Sequence, residues 1–169
     1  DELTYSFAEG ATGPFFDLFI LIANPSEIAA RVRIDYLLLS VETYSKEYDV
    51  PANGRYTVWV DDEEFPAGSG VKLLANVAVS SSITSTNDVP IIVERTMWWP
   101  GPGVTPQFWT ESHNTVGTTA SSTRWGLADG EVGGARNAET YILIANTSAY
   151  TGQARVTLYF EDGTTDEKP

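Results

Sequence analysis

Residues 31–37 read Arg31-Val32-Arg33-Ile34-Asp35-Tyr36-Leu37, and every second side chain in this stretch is apolar. Successive side chains of a β-strand point to opposite faces, so Val32, Ile34 and Tyr36 share one face and the charged residues share the other. This alternation predicts a strand with one face in a core and one in solvent.

Similar strand patterns recur along the rest of the chain. Two-residue alternation recurs at residues 56–60, 75–83 and 154–160, and short apolar runs at 15–23, 91–98 and 141–145 are typical of central strands. Turn residues separate these segments, and only residues 61–74 have room for a short helical turn. About nine or ten strands at this spacing predict an all-β fold, an immunoglobulin-like antiparallel β-sandwich.

An internal repeat divides the chain. Phe19-Ile20-Leu21-Ile22-Ala23-Asn24 returns as Tyr141-Ile142-Leu143-Ile144-Ala145-Asn146, 122 positions later, and Ala8-Glu9-Gly10 returns as Ala128-Asp129-Gly130. Five consecutive identities in so short a chain indicate true repetition. We therefore expect one full repeat plus the first strands of a second.

The repeat sets the expected domain boundaries. Residues 1–98 form the first β-sandwich repeat, and residues 99–123, rich in Gly, Pro, Ser and Thr, form a connector. Residues 124–169 form a partial second repeat that packs on the first or on a neighbouring subunit. Structural roles are expected at two pairs of equivalent positions. Asn24 and Asn146 end a strand and turn the chain, and Glu9 and Asp129 cap a turn or pair with an arginine such as Arg124 or Arg136.

Four ordered motifs carry a resemblance. They are Phe7-Ala8-Glu9-Gly10-Ala11-Thr12-Gly13, Phe19-Ile20-Leu21-Ile22-Ala23-Asn24-Pro25, Val50-Pro51-Ala52-Asn53-Gly54-Arg55, and residues 89–99, Val-Pro-Ile-Ile-Val-Glu-Arg-Thr-Met-Trp-Trp. The chain resembles an uncharacterised bacterial family whose copies stand in tandem in large secreted or cell-surface proteins. The resemblance implies location and architecture, and no activity.

Charge and composition exclude several classes of function. The 169 residues include 23 acidic and 10 basic side chains, for a formal charge of −13, and no cysteine. Such a charge repels phosphate backbones and anionic lipid, and the arginines stand singly rather than in a basic patch. Without an 18-residue apolar run, no membrane-spanning helix is expected. We expect no nucleic acid partner and no membrane insertion.

The sequence does not support a catalytic site or a metal site. His113 is the single histidine, and the nucleophile elbow that a serine hydrolase requires is missing. Several carboxylates could form a glycosidase pair, but no spacing prefers one pair among Glu9, Glu94, Glu111, Asp129 and Glu131. Asp61-Asp62-Glu63-Glu64 is contiguous rather than alternating, unlike a calcium loop. We expect no enzyme activity, no metal and no cofactor.

Aromatic residues suggest the main alternative function, carbohydrate binding. Trp98, Trp99, Phe108, Trp109 and Trp125 cluster around the Gly/Pro-rich connector. Packing between the connector and the two copies explains them, because large rings anchor interfaces. Stacking against sugars explains them too, in which case a planar row of exposed rings is expected and the four residues 98, 99, 108 and 109 would be the ligand site.

These observations predict a non-enzymatic, secreted or cell-surface module with a structural or adhesive role. Its expected partners are copies of itself or neighbouring repeats, joined in tandem or as a filament by strand complementation. The alternative is a carbohydrate-binding module that uses the connector aromatics.

Overall fold

The computed structural model describes residues 2–101, 109–135 and 137–169. Within these ranges the chain forms ten strands and one short 3-10 turn at Val60–Asp62. The strands are β1 Thr4–Phe7, β2 Asp17–Asn24, β3 Ala30–Leu38, β4 Thr43–Val50, β5 Gly54–Trp59, β6 Val79–Ser85, β7 Ile92–Trp99, β8 Glu111–Val116, β9 Val156–Tyr159 and β10 Thr165–Lys168.

The first eight strands form an antiparallel β-sandwich, which confirms the predicted fold class. One sheet has the order β1-β6-β3-β4 and the other the order β5-β2-β7-β8. β2 is a central strand, because it pairs with β5 from residue 19 to 24 and with β7 from residue 17 to 23. A backbone pairing between Ser6 and Thr118 links the first sheet to the segment that follows β8.

The core lies between the two sheets. Val32, Ile34 and Tyr36 are fully buried there, whereas Arg31 and Arg33 are exposed, as the alternation in β3 predicts. The opposite sheet contributes the inward side chains of β2, β5 and β7. The largest fully buried side chains are Tyr36, Ile20, Ile22, Ile34, Leu74, Ile83, Ile91, Val32, Val50, Val58, Val60 and Val93.

β4 and β8 are among the strands that the sequence patterns did not predict. β4 reads Thr-Tyr-Ser-Lys-Glu-Tyr-Asp-Val and β8 reads Glu-Ser-His-Asn-Thr-Val. Each is the last strand of its sheet. β4 buries Tyr48 and Val50 in the core but carries Lys46 on the same face, and β8 is largely exposed, so its polar residues cost little. β8 lies inside residues 99–123, so the segment expected to be a connector supplies an edge strand of the first sandwich.

The second copy differs from its prediction. β9 and β10 form an antiparallel hairpin, but residues 141–145, expected to be a central strand, lie in no sheet. In the first copy the equivalent strand is held by β5 and β7, and no strand of the described residues takes their place beside residues 141–145. None of the helical segments in the described part of the chain is long and apolar enough to cross a membrane.

Candidate functional site

The solvent side of the sheet β5-β2-β7-β8, called here the outer face, carries apolar residues along β2. An antiparallel sheet with one open face normally alternates apolar and polar residues. β2 instead places Phe19, Leu21 and Ala23 on the outer face and Leu18, Ile20 and Ile22 in the core. Both faces of this central strand are therefore suited to contacts.

Four rings gather at one end of the outer face: Phe19, Trp59, Trp98 and Trp109, called here the aromatic patch. Strand register places Phe19 beside Trp59, and Trp98 follows on β7. Ring centroids are 5.8 Å apart for Phe19 and Trp59, 5.7 Å for Phe19 and Trp109, and 5.7 Å for Trp98 and Trp109. The four rings thus form one continuous cluster.

Asp17 fixes two of these rings. Its Oδ1 accepts a hydrogen bond from Trp59 Nε1 at 3.1 Å, and its Oδ2 accepts one from Trp109 Nε1 at 2.6 Å. The two indoles remain partly open to solvent, with exposed fractions of 44% for Trp59 and 49% for Trp109. One carboxylate therefore orients two exposed tryptophans that lie 50 positions apart in sequence.

The rings of the aromatic patch do not lie in one plane. Phe19 is nearly parallel to Trp59, at 21°, and nearly perpendicular to Trp109, at 81°. The Trp59 and Trp109 indoles are therefore steeply inclined to each other. Of the residues that the sequence hypothesis named for sugar stacking, Trp98 and Trp109 are adjacent and tilted by 36° to each other.

The four aromatic residues proposed from sequence are only partly brought together. Trp98 and Trp109 lie in the aromatic patch, whereas Trp99 packs against the core and donates a 2.7 Å hydrogen bond from Nε1 to Glu111 Oε2. Adjacent residues of β7 point to opposite faces, which separates Trp98 from Trp99. Phe108 lies outside the described residues.

Sequence reasoning missed Phe19, Trp59 and Asp17 as site residues. Trp59 had a detectable signal, because the alternation in residues 56–60 places it opposite the buried Val58. Asp17 had none, since its role depends on Trp109, which follows 92 positions later and reaches it only in the folded chain.

Polar groups adjoin the aromatic patch. Thr96 donates a 2.7 Å hydrogen bond from Oγ1 to Asn114 Oδ1 on β8. Within the described ranges, the side chains of Thr57, Glu94 and Ser112 on the same face make no hydrogen bond. A shallow depression beside the patch is lined by side chains that include Leu21, Ala23, Arg55, Thr57, Ile92 and Glu94.

A second polar cluster is centred on the buried side chain of Arg95. Arg95 is 2% exposed, and its Nη2 donates to Glu9 Oε2 at 2.7 Å and lies 3.3 Å from His113 Nδ1. Burial lowers the pKa of Arg95, and the Glu9 carboxylate acts in the opposite direction. Arg95 Nε and Nη1 are buried without a hydrogen-bond partner. Glu9 therefore pairs with Arg95, which sequence reasoning did not select.

The acidic run at residues 61–64 is used internally. Asp61 accepts backbone hydrogen bonds from Gly13 at 3.1 Å and Leu18 at 2.9 Å, and burial raises its pKa against the effect of those bonds. Asp62 pairs with Lys72, and Glu63 with Lys46. In the part of the chain that the structure describes, no three ligating side chains gather as a metal site would need.

Asn24 and Asn146 form the same local turn. Asn24 donates from Nδ2 to Ile28 O at 2.8 Å and accepts from the Ser26 N–H at 3.0 Å. Asn146 donates from Nδ2 to Tyr150 O at 2.7 Å and accepts from the Ser148 N–H at 3.0 Å. The two copies thus share a turn in structure as well as in sequence.

Comparison with known proteins yields a likeness of fold. No protein-family model and no curated protein matches the chain. A solved structure of the Thermotoga maritima protein 1070 has a TM-score of 0.55 and 15% identity, covering 69% of this chain and 93% of its own. The Anabaena sensory rhodopsin transducer has a TM-score of 0.47 and 23% identity, covering 56% of this chain and 86% of its own. At 15% identity the first likeness concerns the fold alone.

Proposed function

We propose that the chain is a non-enzymatic structural or adhesive module of a secreted or cell-surface bacterial protein. Its sandwich is a spacer, and its partners are neighbouring repeats or further copies of itself. The proposal of an extracellular location rests on the resemblance to tandem surface repeats, and the shared asparagine turn supports the repeat itself.

One observation carries the assembly part of the proposal. Residues 139–146 repeat the sequence of a central strand, yet Tyr141 is 75% exposed and Ile144 is 60% exposed. A strand-forming segment with unpaired backbone edges and apolar side chains in solvent favours association with another chain or repeat. Strands supplied by a neighbour would give this segment the environment that β2 has in the first copy.

Sedimentation velocity over a hundredfold range of protein concentration tests this proposal. We expect species that grow with concentration. Ile144→Asp, which places a charge in the exposed repeat strand, should leave only monomer. Val132→Asp is the matched control, because Val132 is also an exposed apolar residue but lies outside the repeated strand. A single monomeric species at every concentration of the unaltered chain would contradict the proposal.

Carbohydrate binding is the second candidate function. Trp98 and Trp109 lie together on the outer face, and Trp109 is half exposed, which favours a ligand that uses aromatic surface. Retention of the chain by a polysaccharide distinguishes this function from assembly, because it requires no second copy.

A further inference from the structure

We infer that the aromatic patch binds a single chain of an uncharged polysaccharide, with sugar rings packed against the indoles of Trp59 and Trp109. The inference rests on the second candidate function and names its site and ligand class. Its central residues, Asp17, Phe19 and Trp59, lie outside the set that sequence reasoning nominated.

Preorganisation is the first argument. Exposed tryptophans on long side chains lose rotational freedom when they bind a ligand, and that loss reduces affinity. Here the Asp17 carboxylate holds both indole N–H groups, and Phe19 packs against both rings before any ligand arrives. The open ring surface of Trp59 and Trp109 is therefore presented in a fixed orientation.

The inclination of the rings selects the form of the ligand. A flat crystalline polysaccharide needs aromatic rings in one plane. Trp59 and Trp109 are steeply inclined, because Phe19 is nearly parallel to one and nearly perpendicular to the other. Successive sugars of a single chain can turn relative to one another about their linkages, so a soluble chain can contact both indoles.

The polar surroundings favour a polyhydroxylated ligand over a protein. Thr57, Glu94 and Ser112 share the outer face and make no side-chain hydrogen bond within the described ranges. A dry protein interface would leave such groups unpaired at a cost in free energy, whereas sugar hydroxyls both donate and accept hydrogen bonds. Glu94 in particular can only accept, and each hydroxyl carries a proton to donate.

Charge selects an uncharged sugar. The chain has a formal charge of −13, and on the outer face the two carboxylates of Asp17 and Glu94 outnumber the single guanidinium of Arg55. Polyuronates would be repelled by this excess of negative charge. A neutral glycan avoids that penalty.

Affinity electrophoresis tests the inference with defined probes. The purified chain is run through native gels that contain barley β-glucan, xyloglucan, galactomannan, arabinoxylan or polygalacturonate, and is mixed separately with crystalline cellulose. We expect retardation by at least one of the four neutral polysaccharides, no retardation by polygalacturonate and no sedimentation with cellulose. Trp59→Ala and Trp109→Ala should each weaken binding by about tenfold or more, as truncation of a central aromatic contact does.

Trp125→Ala is the matched control. Trp125 is 64% exposed but makes no ring contact with the aromatic patch in the described residues, so its loss should leave binding unchanged. Circular dichroism melts verify that each variant folds. Should an alanine variant unfold, Trp59→Phe and Trp109→Phe keep an apolar ring, lose the indole N–H and should still weaken binding measurably.

Several outcomes would overturn the inference. They are no retardation by any neutral polysaccharide, equal loss of binding in Trp125→Ala, or tighter binding to polygalacturonate than to neutral chains. Concentration-dependent sedimentation that Trp59→Ala and Trp109→Ala abolish would instead assign the patch to a second copy. Failure of glycan binding leaves the proposed assembly through residues 139–146 intact, because Ile144→Asp tests that assembly separately.

Discussion

β2 in the first copy and residues 139–146 in the second share five consecutive residues but not their structure. β2 lies between β5 and β7, with Ile20 and Ile22 in the core. The equivalent Ile142 and Ile144 are exposed, and their segment pairs with no strand of the described residues. The Asn-x-Ser turn that follows is nevertheless present in both copies.

The difference separates local from long-range causes of structure. The hydrogen bonds that the two turns share fall within five residues, so the similar sequences produce the same turn in either copy. A strand satisfies its backbone only through partners, and those of β2 come from residues 54–59 and 92–98. Identical sequence therefore specifies the turn but only permits the strand.

The largest difference between the two copies is expected for the equivalent isoleucines Ile22 and Ile144. Ile22→Ala should lower the free energy of unfolding by about 3 kcal/mol, because Ile22 is 1% exposed and its loss leaves a cavity. Ile144→Ala should change it by less than about 0.5 kcal/mol, since the side chain is already in solvent. Urea unfolding followed by circular dichroism measures both. Equal losses of unfolding free energy in the two variants would mean that residues 139–146 are packed in solution, so that the two copies would not differ in the way described above.

The two turn asparagines should also differ. Asn24 is buried and donates additionally to the Val50 and Pro51 carbonyls, at 3.3 and 3.1 Å. Asn24→Ala should cost about 2 kcal/mol, because it leaves buried carbonyls unsatisfied. Asn146→Ala removes the side-chain hydrogen bonds of an exposed turn and should lower the free energy of unfolding by less than about 0.5 kcal/mol in the same measurement. A loss at Asn146 as large as that at Asn24 would show that the second turn supports the sandwich.

A smaller contrast is expected for the repeated acids. Glu9→Ala removes the carboxylate that pairs with buried Arg95, and should cost about 1 kcal/mol because solvent reaches Glu9 and can partly replace it. Asp129→Ala should have no measurable effect on unfolding. Restoration of stability when Glu9→Ala is combined with Arg95→Met would attribute the loss to the uncompensated guanidinium. No rescue would assign it to Glu9's own packing.

Most of the fold could be predicted from sequence because apolar patterning reports burial directly. β3 and β5 stand out by their alternation, and β2 and β7 stand out as short apolar runs. β4 and β8 do not stand out, because Lys46 interrupts the apolar face of β4 and β8 is an exposed edge strand that needs no apolar alternation. The strand predicted at residues 141–145 failed for the opposite reason, since its apolar pattern is present but no strand among the described residues pairs with it.

The candidate site was less predictable than the fold. Alternation places Trp59 on a strand and an apolar run places Trp98 on another, but the aromatic patch is assembled from β2, β5, β7 and the segment at Trp109. The 2.6 Å bond between Trp109 and Asp17 spans 92 positions and depends on the register of three strands. Likewise, pairing of Glu9 with Arg95 across 86 positions depends on how the sandwich closes.

The smallest expected effect comes from metal chelation. If a bound calcium ion organised residues 139–169, the contrast between the copies would depend on that ion rather than on strand partners. Calcium needs six to eight oxygens around one point, and no three ligating side chains gather among the described residues. We therefore expect chelation to have little effect.

Thermal melts with and without EDTA measure this effect. We expect the midpoint to change by less than about 1 °C. A fall of more than about 10 °C, which corresponds to a loss of a few kcal/mol, would reveal a calcium site. Should added calcium then protect the amides of residues 139–146 from hydrogen exchange, the second copy would be completed by an ion and not by the strands of a neighbour.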